Sequence, residues 1–129
     1  MNFTVNGILF IDQEHQQLFF ALCALMEQVN YLDEYHQAAA YLLSMDKVCR
    51  THYKNLFDFE GDRIKPEGIA EEWQTSTSLR TTRLMFNLWN GHTDEAEGEK
   101  YTPYNIFDCS YAPYYWQALK LRYPFYTEP

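Results

Sequence analysis

The stretch Asp12-Gln13-Glu14-His15-Gln16-Gln17-Leu18-Phe19-Phe20-Ala21-Leu22-Cys23-Ala24-Leu25-Met26-Glu27-Gln28-Val29 carries the strongest fold signal in the chain. Leu18, Leu22, Leu25 and Val29 recur at helical spacing, with Phe19, Cys23 and Met26 beside them. That is the period of about 3.6 residues of an amphipathic helix, not the alternation of a strand. Asp12 suits an N-cap, because its carboxylate can accept from the free amides of the first turn. The spacing predicts a helix over about 13–30.

Upstream, Asn6-Gly7 stands between Phe3-Thr4-Val5 and Ile8-Leu9-Phe10, the pattern of a tight hairpin. An isolated pair of strands is marginal, so a hairpin here must lean on the helices. Downstream, Asp33 offers a second cap, and Ala38, Ala39, Leu42, Leu43 and Met45 continue a helical stripe to about Ser44. Ser44 or Asp46 caps a third helix over about 47–56, or the two run on as one kinked helix. Val48, Cys49, Tyr53, Leu56 and Phe57 face inward. Charged residues and Gly61 make 58–65 a loop, and Pro66 opens a short helix ending near Trp73. The hydroxyl-rich 74–78 reads as a connection that caps a helix over Leu79–Asn90, with Thr82, Met85, Phe86 and Trp89 on one stripe and Gly91 as its stop. Residues 92–100 are acidic and read as a mobile loop. Thr102-Pro103 opens a turn of helix, and a last helix over about 112–123 ends at Pro124. The expectation is an all-α single compact domain of five or six helices with a short N-terminal β-hairpin.

At 129 residues, 47% apolar and 22% charged, the chain has the size and composition of one globular domain. No apolar run approaches the roughly 20 residues that span a bilayer, so no membrane association is expected. The opening Met1-Asn2-Phe3-Thr4 lacks a basic segment, which reads as no secretory signal and makes the cytoplasm the expected location. Cys23, Cys49 and Cys109 form no CxxC pair and read as reduced, buried thiols.

The net charge is −8, unevenly spread. Residues 1–46 carry six acids and no Lys or Arg, and Asp94, Glu95, Glu97 and Glu99 form a second acidic run. Such a surface repels nucleic acid and favours a protein partner with a basic surface. Direct nucleic-acid binding is therefore not expected.

Two further stretches could bind. Thr75-Ser76-Thr77-Ser78-Leu79-Arg80-Thr81-Thr82-Arg83 sets hydroxyls, helix-start amides and two arginines one turn apart, which suits an anion. Ser76, Ser78, Arg80 and Arg83 are its candidate residues. Residues 101–126 hold more rings than one helix face can bury, so Tyr114, Tyr115 and Trp116 are candidates for a partner or dimer interface. His15, His36, His52 and His92 lack a ligand-like spacing, although Cys49 and His52 share a face. No phosphate-binding glycine loop or nucleophile elbow appears. Neither a catalytic residue nor a metal or cofactor is expected.

Three blocks add a resemblance. They are Ala39–Asp46, Ile64–Gly91 with its Thr-Thr-Arg-Leu-Met-Phe-Asn-Leu-Trp-Asn-Gly core, and Tyr111–Pro124. They resemble an uncharacterised family of small proteins from gut Gram-positive bacteria, their phages and conjugative elements. The resemblance implies a mobile-element accessory protein and transfers no catalytic residue. With the charge map, it gives the expectation of a non-enzymatic acidic binding module, monomer or homodimer. Such a module would inhibit a nucleic-acid-binding defence enzyme in the manner of an anti-CRISPR or DNA mimic. The alternative expectation is a small anion- or phosphate-binding domain, or an enzyme, built on 75–83.

Overall fold

The structure, a computed structural model, describes residues 1–129. At the start, β1 (Phe3–Val5) pairs antiparallel with β2 (Ile8–Phe10), Val5 opposite Ile8. Asn6 and Gly7 both take positive φ, 53° and 79°, the geometry that Asn-Gly permits most cheaply. The hairpin leans on the helices through β2. Leu9 donates its amide to Gln117 Oε1 (3.1 Å), and the Tyr41 hydroxyl donates to the Leu9 carbonyl (2.6 Å).

Helix α1 (Gln13–Val29) starts where Asp12 accepts the His15 amide at 2.8 Å. Its buried face is His15, Phe19, Leu22, Cys23 and Met26, whereas Val29 is 41% exposed. The stripe is thus turned from the expected Leu18-Leu22-Leu25-Val29 ridge towards Phe19 and Cys23. Helix α2 (Glu34–Leu43), capped by Asp33, touches α1, α4 and the last helix, which makes it the centre of the molecule. Beyond its first turn it is enclosed and has no polar face: the run from Ala38 to Asp46 is buried throughout. Three consecutive alanines, Ala38, Ala39 and Ala40, let neighbouring backbones come close.

Asp46 accepts the amides of Val48 and Cys49, so the chain restarts as a separate helix, α3 (Lys47–Thr51). That helix is half the expected length. His52 leaves helical geometry to stack on Trp73, ring centroids 4.1 Å apart, and the chain continues as a 3-10 turn over Tyr53–Asn55. The expected loop at 58–65 also contains structure. A two-residue pair, β3 (Phe57–Asp58) with β4 (Arg63–Ile64), closes around Asp62 at φ 54°. The segment after Pro66 is a 3-10 turn, Pro66–Ala70, and not an α-helix.

Helix α4 (Ser76–Asn90) begins three residues before the expected Leu79. Thr75 is its cap. The Ser78 amide donates to Thr75 Oγ1 (3.0 Å) and the Thr75 amide donates to Ser78 Oγ (2.8 Å), a reciprocal box that draws Ser76–Ser78 into the first turn. Thr75→Ala is expected to cost about 1 kcal/mol, read as a lowered melting temperature. Adding Ser78→Ala should cost less than the sum of the single changes, because one box is being broken twice. Full additivity would refute this account of the cap. Gly91 ends the helix at φ 77°, a left-handed position that suits glycine.

The acidic stretch expected to be mobile forms a 3-10 segment over Glu95–Tyr101 with a kink at Glu97. Two more helices follow, α5 (Pro103–Ile106) and α6 (Ala112–Arg122). The core gathers Phe10, Tyr41, Phe57, Phe86 and Tyr115, each essentially without exposure, around α2. The architecture is all-α with a minor hairpin, and no helix is long and apolar enough to cross a membrane.

Candidate functional site

Positions 76, 80 and 83 fall on one face of a helix, since residues three and four apart stack above each other. Because α4 starts at Ser76, its first turn joins that face. Ser76, Leu79, Arg80 and Arg83 line a cavity of about 230 Å³ whose far wall is Lys100 and Asn105. The 3-10 segment brings Lys100 back, and α5 supplies Asn105.

The cations are incompletely paired. Arg80 donates Nε to the Asn105 carbonyl (3.1 Å) and faces no carboxylate, which leaves its terminal nitrogens unpartnered. Arg83 is only 8% exposed; its Nη2 donates to Glu97 Oε2 at 3.3 Å, the Tyr101 phenol lies beside it, and its buried Nε has no partner. Lys100 reaches the same carboxylate at 3.4 Å. Three cations against Glu97 leave two positive charges uncompensated. The Ser76 and Thr77 amides, at the positive end of the α4 dipole, also lack protein acceptors.

Arg50 shows what a saturated arginine looks like in this fold. It donates to the Ser44 and Met45 carbonyls, to both Asp12 oxygens and to Glu14. Its role is to lock the start of α1 to the α2–α3 connection. Arg83, buried to a similar degree, holds Glu97 through Nη2 and leaves Nε without an acceptor. A buried unsatisfied donor costs about 1–3 kcal/mol, a cost that an anion in the cavity would remove.

The other candidate residues are placed differently. Ser78 does not belong to the cavity: it is fully buried, and its hydroxyl donates to Gln74 Oε1 at 2.6 Å. In the acidic stretch, Glu97 is turned onto Arg83 and Lys100, and Asp94 accepts the Tyr101 hydroxyl and lies 3.4 Å from His92. Burial, reinforced by Asp94, pushes the Tyr101 phenol up to about 12. Only Glu95 and Glu99 point freely to solvent, so the expected four-carboxylate surface is half committed inside the molecule. Among the aromatics, Tyr115 is core: it is fully buried, with its hydroxyl 2.8 Å from that of Thr81. Trp116 is 45% exposed, and Tyr114 is half-buried, its hydroxyl accepting from Asn2. Surplus rings do reach the surface, at Tyr104, Trp116, Phe125 and Tyr126, whereas Tyr115 is covered by Phe107 and Tyr111.

The histidines serve the fold. His36 lies between Asp33 (2.5 Å) and Asp62 (2.7 Å), tying the start of α2 to the β3–β4 turn. Cys49 is enclosed near Thr82, where burial drives its thiol well above the ordinary value, while its neighbour His52 turns away to Trp73. Lys100 and Asn105 escaped the sequence reading. The one available signal was a single lysine closing a run of acids.

Fold and cavity together define a small all-α protein with a basic pocket at the start of helix α4. The chain belongs to a family of unknown function (DUF6075), whose model matches residues 5–129. No curated protein and no solved structure matches it.

Proposed function

We propose that this protein binds a small oxyanion, of the phosphate or phosphate-ester class, between Arg80, Arg83, Lys100 and the first turn of α4. The observation that carries this reading is the nine-tenths-buried Arg83 guanidinium lining a cavity with its Nε unpartnered. Arginine's planar fork matches a tetrahedral oxyanion, and charge-assisted hydrogen bonds of this kind are roughly twice as strong as neutral ones. Ser76 and Asn105 add neutral groups that would orient the ligand.

The test is titration with inorganic phosphate, sulfate and a nucleotide, followed by calorimetry and thermal melting. Ligand at about 100 times Kd should stabilise the protein by about 2.7 kcal/mol. Arg80→Met should weaken binding about ten- to hundredfold, the worth of one or two charged hydrogen bonds, with little change in the unliganded melting temperature. Arg83→Met should also remove binding, yet leave the unliganded protein equally or more stable, because an isosteric apolar side chain replaces an undersatisfied buried charge. A large loss of stability in Arg83→Met would mark the residue as structural and defeat the reading.

A second reading is the acidic inhibitor that occupies a nucleic-acid-binding surface on a defence enzyme. The six acids and absent cations of residues 1–46 favour it. The geometry supports it less well, since Arg50 pairs with Asp12 and Glu14 while Asp94 and Glu97 are engaged internally. Competition against a panel of nucleases, with DNA binding read directly, tests it. Retained DNA binding at micromolar protein throughout the panel would dismiss it.

A further inference from the structure

We infer that Glu97 is the resident occupant of the anion position in this pocket, and that a phosphate dianion binds by displacing it and releasing the Glu95–Tyr101 segment. The inference rests on the anion reading above and adds a built-in competitor and its release.

Glu97 Oε2 accepts from Arg83 at 3.3 Å and Glu97 Oε1 lies 3.4 Å from Lys100, so one carboxylate spans both cations. Both contacts are long for charged pairs, which close to about 2.7–2.9 Å when well formed. They use one Arg83 donor and leave Nε empty. The carboxylate is 44% exposed, so water can take it up once it lets go. A tetrahedral dianion brings more acceptor oxygens and twice the charge to the same cations. It also reaches Arg80, which Glu97 does not bond.

The backbone at this point is ready to yield. Glu97 itself has non-helical geometry, φ −137° and ψ 33°, at the kink between two 3-10 turns. The Glu97 amide bonds to the Asp94 carbonyl (3.1 Å) and the Thr102 amide to the Glu99 carbonyl (3.3 Å) on either side of the kink. Side chains anchor its two ends and not the kink: the Tyr101–Asp94 bond and the His92–Asp94 pair on one side, and Thr102 and Asn105 donating to the Glu99 carbonyl at 2.8 and 2.7 Å on the other. Once Glu97 leaves the pocket, the cation contacts that fix the kink go with it.

Two measurements on the full chain test this. Inorganic phosphate at neutral pH should bind Glu97→Gln about three- to tenfold more tightly than the unsubstituted protein, the range for relieving one partly exposed ionic competitor. In hydrogen exchange, the Glu97 and Thr102 amides of the unsubstituted protein should exchange faster when phosphate is bound, the opposite of ordinary ligand protection. In Glu97→Gln the same amides should exchange fast before any phosphate is added. If phosphate binds both proteins equally, or more weakly in Glu97→Gln, or slows exchange at 97–102, the displacement is overturned and the anion pocket stands. If neither protein binds phosphate any better than Arg80→Met does, the pocket reading falls and this inference with it.

Discussion

Tyr41→Ala is expected to leave no stably folded protein at 37 °C, whereas Tyr41→Phe should cost only about 1 kcal/mol. Tyr41 is fully buried on α2 and is met from three directions. Its ring packs against Phe10, His15 and Phe19, with centroids 4.5–6.0 Å away. Its hydroxyl donates to the Leu9 carbonyl and its own carbonyl receives the His15 Nε2 proton at 2.9 Å. Truncating a large buried aromatic side chain costs about 3–5 kcal/mol, comparable to the lower part of the 5–15 kcal/mol range of domain stabilities. The phenylalanine change keeps the volume and strands only a backbone oxygen that has other means of relaxing. Urea unfolding of the two variants separates packing from hydrogen bonding. Equal losses in both would show that the hydroxyl, and not the ring, holds the hairpin to the core.

Acidification from pH 7.5 to 5 should destabilise the protein by about 2 kcal/mol through His15 alone. His15 is wholly buried, and its Nδ1 accepts the Ile11 amide at 3.1 Å. That fixes the neutral tautomer in which Nε2 carries the proton it gives to the Tyr41 carbonyl. Burial is the main reason its pKa falls from 6.5 to about 4. The Tyr41 carbonyl and Asp12 act against this, and Arg50 adds to it. The direction follows from proton uptake. Between these values the unfolded chain binds a proton that the folded state refuses, so stability is present above about 6.5 and is lost as pH falls towards 4. Urea unfolding at the two pH values measures the loss. In His15→Gln the native state is weaker at both, and the difference between them should shrink by about 2 kcal/mol. A variant that keeps the full difference would place the titrating group elsewhere.

Caps and periods made the helices legible. Asp12, Asp33 and Asp46 each accept the amides expected of them, and the Asn-Gly turn has its positive φ angles. What escaped depends on partners distant in sequence. The end of α3 is fixed by His52 stacking on Trp73, which no local pattern contains. The β3–β4 pair is too short to show alternation. The start of α4 was misplaced because five consecutive polar residues all favour caps, and the choice of Thr75 depends on its reciprocal bond with Ser78. The same holds for the candidate site. Ser76, Arg80 and Arg83 share a face by helical period alone. The exclusion of Ser78 and the arrival of Lys100 and Asn105 follow from where the chain turns back after Gly91.

The bond between the Leu9 amide and Gln117 spans 108 residues, and it sets a timetable for folding in the cell. Translation at about 5–20 residues per second separates the two partners by about 5–20 s. Throughout that delay the apolar side of α2 that α6 will cover has no lid, and the hairpin lacks its ties to α6 through Leu9 and Asn2. Helices α1 and α2 can associate early, because their partners are near neighbours in the chain. Closure of the bundle must therefore wait until the aromatic helix α6 has been made and can settle on α2.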